Sequence, residues 1–107
     1  YTINEPAAEG AYQALKNAGK EGQAIIVSVD GGCPGVASVK SGVIGATSQQ
    51  YPLLMASLGV ENVARAVAGE TFATGYTDTG VTLITNEAQE GLESVDSARG
   101  LELCWGE

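Results

Sequence analysis

Residues 25–35 read IIVSVDGGCPG. Four β-branched residues and a serine run straight into an acid, two glycines, a cysteine and a proline. The run, with its lead-in QAIIVSVD at 23–30, is a short, continuous apolar strand of the kind that parallel sheets bury on both faces. Upstream, Asn4, Glu5 and Pro6 mark a helix start, because proline suits the first turn. Ala8, Ala11, Tyr12, Leu15 and Ala18 follow at helical spacing, and Gly19 stops the helix. Downstream, PGVASVKSG (34–42) predicts a helix of two turns at most, closed by Gly42, and VIGATSQ (43–49) predicts a second strand weakened by Gly45. Pro52 opens a longer helix with Leu53, Ala56, Val60, Val63, Ala64 and Val67 on its apolar face and Gly69 at its end. VTLIT (81–85) is a third strand, and VDSARG (95–100) suits a helical turn. YTI at 1–3 reads as the tail of a strand. Strands alternating with helices predict an α/β fold with a doubly wound, Rossmann-like parallel sheet.

Composition bounds what such a fold does here. The chain has 107 residues, 44% of them hydrophobic, which fits one small domain or a piece of a larger one. Five basic residues face 13 acidic ones, for a formal charge of −8. Such a surface repels nucleic acid and anionic lipid. With no histidine, the commonest general base and a common metal ligand are missing. No apolar stretch approaches the length of a membrane span. The opening YTINEPAAEG has no Met and no signal-type segment, so it reads as a piece or trimmed form of a longer chain, with a mature N-terminus starting in a sheet as the alternative.

In doubly wound sheets ligands bind beyond the carboxyl ends of the strands. Asn4 follows YTI, Asp30 follows IIVSV, and Gln49 and Gln50 follow VIGATS. A carboxylate flanked by planar amides suits a neutral polyhydroxy ligand, since Asp30 accepts from hydroxyls while Asn4 and Gln50 both donate and accept. Each residue also has an ordinary structural reading. Asn4 suits an N-cap, Asp30 before Gly31 suits a turn, and Gln50 suits a solvated loop. Glu5 is a weaker candidate, because an acid there also favours a helix N-terminus.

The segments TINEPAAEGAYQALKNAGK, IIVSVDGG, VIGATSQQYP and DTGVTLIT resemble, in order and spacing, the C-terminal part of bacterial periplasmic sugar-binding proteins. The likeness is to the ribose/fructose/galactose-type solute-binding components of ABC transporters. It implies a two-lobed fold closing around a monosaccharide such as fructose, ribose or galactose. It also implies periplasmic localisation, delivery to a membrane permease, no cofactor and no catalysis. The family's ligand positions fall on Asn4, Asp30 and, within ATSQQYP, Gln50. Residues 1–107 are then one partial unit. Residues 1–50 belong to a ligand lobe, 51–80 pack toward an N-terminal lobe that is absent, and 81–107 form a return strand and tail. The chain departs from the family pattern in GCPG after Asp30 and in the tail GLELCWGE. Without the other lobe, the exposed helix face implies either that lobe as partner or self-association.

Cys33 precedes Pro34 at a helix start, where the dipole favours a thiolate. No histidine, Cys-x-x-Cys or nearby arginine accompanies it. In a periplasmic chain the two cysteines favour one disulfide, Cys33–Cys104, pinning the tail with Trp105 beside it; two separate buried thiols are the alternative. Besides transport, two readings stand. One is the effector-sensing domain of a sugar-responsive transcription regulator. The other is a small enzyme with Cys33 as nucleophile.

Overall fold

The computed structural model describes residues 1–71 and 74–106. Its elements are α1 (Glu5–Asn17), β1 (Val27–Asp30), α2 (Cys33–Ser41), β2 (Ala46–Gln49), α3 (Pro52–Val67), β3 (Thr82–Ile84) and α4 (Ser97–Leu103). Proline opens the first three helices, and Asn4 and Asp96 cap α1 and α4 by accepting from Ala7 N and Arg99 N. Gly42 closes α2 in the left-handed region, at φ 80°. The helix starts one residue earlier than expected, at Cys33, and spans nine residues.

The strands are shorter than the apolar runs that contain them. β1 begins at Val27 because its pairing partner β2 begins at Ala46. Residues 1–3 form no strand, although Thr2 N donates to Val27 O at 3.0 Å. The sheet order is β1-β2-β3. β1 and β2 are parallel, as expected, but β3 runs antiparallel to β2, so the sheet is mixed rather than wholly parallel. The parallel rule governs a strand–helix–strand unit whose helix packs back on its own sheet. Between β2 and β3 the chain instead builds a separate compact unit, Tyr51–Gly80.

The other unit is Tyr1–Gln50 with Val81–Glu107. Its core joins Ala8 of α1, Ile26, Val36 and Val39 of α2, Ile44 and Ile84. Gly100 lets α4 close on this core, since a Cβ there would lie 2.8 Å from Ile84 Cγ2. One sheet face, with Ser28, Thr47, Gln49 and Ile84, is buried. The alternate residues Val27, Val29, Ala46, Ser48 and Leu83 line an open concavity of about 720 Å³ on the other face. Within Tyr51–Gly80, α3 has no buried residue, and Leu53, Val60, Val63 and Val67 are exposed. Among the described residues no helix is long and apolar enough to cross a membrane.

Candidate functional site

The carboxyl ends of β1 and β2 bring Asp30 and Gln50 together. Register pairs Asp30 with Gln49, which leaves Gln50 one residue beyond the strand. Gln50 N donates to Asp30 O at 3.0 Å, and Gln50 Nε2 donates to Asp30 Oδ1 at 2.8 Å. Asp30 has φ 126°, alone among the described non-glycine residues in being positive. A side chain held there costs on the order of 1–3 kcal/mol and persists only where its surroundings over-determine it.

Those surroundings are visible on both sides of Gly31. Its φ is 69°, and a Cβ there would fall 2.3 Å from Gln49 Cβ. Gln49 is fully buried and donates through Nε2 to Gly31 O at 2.7 Å and to Gly100 O at 3.4 Å. Its Oε1 is the buried side-chain polar atom that finds no partner among the described residues. From the other side, Glu5 Oε1 accepts from Gly31 N at 2.9 Å and from Thr47 Oγ1 at 2.8 Å.

Glu5 is 7% exposed. Its carboxyl takes the space a side chain at residue 35 would need, with Cδ 1.7 Å from an ideal Cβ on Gly35. The charge therefore sits at the N-terminus of α2, where free N–H groups and the helix dipole favour an anion. Burial nonetheless pushes the Glu5 pKa up from its ordinary 4.5; hydrogen bonds from Thr47, Gly31 and Gly32 oppose the rise, and the Asp30 charge adds to it. Glu5 thus serves the turn after β1, and its partners lie 26 and 42 residues away.

The tail closes the site from a third direction. Cys33 and Cys104 form a disulfide across 71 residues, with their Cα atoms 4.9 Å apart. Cys33 N donates to Trp105 O at 2.9 Å, and Trp105 Nε1 donates to Gln50 O at 3.0 Å. Glu5, Glu9, Asp30, Ser38 and Trp105 help to line a cavity of about 430 Å³. Its described lining holds three carboxylates and no cationic side chain.

Asn4 stands apart from this pair. Its Oδ1 caps α1 at 2.9 Å from Ala7 N, and among the described residues no hydrogen bond joins it to Asp30 or Gln50. It reaches the site through its neighbour, since Glu5 holds Gly31. Reading the sequence underrated Glu5 and passed over Thr47 and the buried role of Gln49. The available signal was the glycine set at 31, 32 and 35, three missing side chains beside a helix start.

A scan against models of protein families finds no match. The chain is similar to the ribose import binding protein of Haemophilus influenzae, with 43% identity over 70 residues, 65% of this chain and 23% of that protein. Among solved structures it is similar to an ABC transporter solute binding protein from Agrobacterium vitis with bound D-fucose. That likeness has a TM-score of 0.68 at 33% identity and covers 78% of this chain and 29% of the other. The chain thus spans about a quarter of the length of these relatives. Both matches bear out the resemblance read in the sequence, to part of a periplasmic sugar-binding protein, and the α/β architecture is a piece of the periplasmic-binding-protein fold.

Proposed function

We propose that the chain supplies one side of a monosaccharide site in a periplasmic component that delivers sugar to an ABC importer, with Asp30, Gln50 and Asn4 as its ligand residues and no catalytic step. The observation that carries this reading is the Asp30–Gln50 pair, joined through side chain and backbone at neighbouring strand ends. Strain at Asp30 supports it, because strained residues cluster where ligands are clamped. The chemistry favours a neutral polyol. Asp30 accepts from hydroxyls and repels an acidic sugar, and Gln50 donates and accepts. A disulfide fits an oxidising compartment such as the periplasm. It also engages the thiol that an enzyme using Cys33 would need.

In this reading residues 1–50 and 81–107 form part of a ligand lobe. The apolar residues of α3 and the open sheet face meet the rest of a longer protein, the N-terminal lobe included. Without it, the 107-residue chain self-associates, which light scattering measures; a monomer at all concentrations contradicts that packing. Titrating the full-length protein with D-ribose, D-fructose, D-galactose and D-fucose by calorimetry tests the sugar reading. Saturable one-to-one binding of at least one is expected, and heat indistinguishable from dilution for all four contradicts it.

A further inference from the structure

We propose that Trp105 is a positioning residue for the Asp30–Gln50 pair, its indole N–H fixing the Gln50 peptide so that the Gln50 amide reaches Asp30. The proposal rests on the reading of these two residues as sugar ligands. Trp105 touches both strand-end turns. Its carbonyl accepts from Cys33 N after β1, and its Nε1 donates to Gln50 O after β2. The Cys33 bond places Trp105 in a parallel bridge with Gly32 of the first turn. Gln50 is accordingly held at three atoms: N on Asp30 O, O under the Trp105 indole, and Nε2 on Asp30 Oδ1.

Two observations separate this role from simple tail anchoring. The disulfide already ties Cys104, the residue before Trp105, to the turn after β1, so the tail stays in place without the indole bond. Trp105 is also half-buried and stands outside the hydrophobic core cluster, which Cys104 joins. What the indole adds is a directed donor onto Gln50's own carbonyl. A carbonyl released from such a donor turns to water, and the amide beyond it gains freedom that sugar binding must then remove.

The test compares full-length wild type with Trp105→Phe, which keeps a ring and loses the N–H. Amide hydrogen exchange is read by NMR without ligand, and affinity by calorimetry with D-ribose and D-fucose. Expected are faster exchange at Gln50 N–H, affinity weaker by about fivefold, and an unchanged melting temperature with unchanged exchange inside α2. Equal Gln50 exchange, or equal affinity despite faster exchange, overturns the proposal. A uniform rise in exchange with a lower melting temperature also overturns it, since that is general support of the fold. Should Trp105→Phe fail to fold, the wild-type indole N–H decides: its exchange slows on saturation with either sugar, and no change overturns the proposal. Wild type that binds neither sugar contradicts the sugar reading itself, while the ligand-free exchange at Gln50 still decides whether Trp105 orients that residue.

Discussion

On the helix-covered face of the sheet lie Ser28, Thr47, Gln49 and Ile84, all buried. On the opposite face lie Val27, Val29, Ala46, Ser48 and Leu83, all half-buried or exposed. The more polar face is therefore inside and the more apolar one outside. The covered side is organised around a job, because Thr47 and Gln49 converge with Glu5 on the turn that carries Asp30. Buried polar groups of this kind hold one arrangement, since each is costly to leave unpaired. The open side, largely apolar, lines the concavity of its own unit. Hydrophobicity shows which residues want cover; partners decide which receive it.

The contrast is broken most severely at Gly31. Gly31→Ala puts a Cβ into Gln49 at a positive φ, and strain with overpacking should cost on the order of 4 kcal/mol. Gly42→Ala, with a similar φ and open space around it, should cost only about 1–2 kcal/mol. Chemical denaturation of both measures the gap, and equal losses would show that the contact with Gln49 is unimportant.

Next come the two neighbours on β3. Ile84 is fully buried, and Ile84→Ala should cost about 2–5 kcal/mol. Leu83→Ala, on the open face, should cost about 1 kcal/mol or less in the 107-residue chain. In the full-length protein the Leu83 penalty should grow toward that of Ile84. An unchanged Leu83 penalty there means that nothing covers this face.

The smallest effect is a pH slope. Because the folded Glu5 pKa lies above its ordinary 4.5, the folded state binds the extra proton between those two values. Glu5 therefore lowers stability as pH rises through that window, and adds most below it. Measured against pH, the stability of wild type relative to Glu5→Gln should fall from about pH 4.5 upward. A difference that rises with pH there would reverse the sign and place Glu5 in a net stabilising field.

Much of this is legible in the sequence. Pro6, Pro52, Gly19 and Gly42 punctuate helices by their own backbone limits, so the helices stood out. Asp30 and Gln50 stood out as candidates because ligands bind beyond the strand ends in such sheets, and the structure joins the two side chains. The direction of β3 was not legible, since direction belongs to the connection and not to the residues Thr82–Ile84. The true start of β1 was hidden because Ile25 and Ile26 are as apolar as the strand itself. Glu5 was underrated because its partners, Gly31 and Thr47, are distant in sequence. Gly35 is explained only once the Glu5 carboxyl is seen in the space beside it.

The most direct test of the central claim is the sugar affinity of full-length Asp30→Ala. Calorimetry with whichever of the four sugars binds wild type should show a loss of about 1.5–3 kcal/mol, on the order of tenfold to 150-fold. The circular dichroism of the variant should match wild type. Unchanged affinity in a folded Asp30→Ala would remove Asp30 from the site and contradict the account.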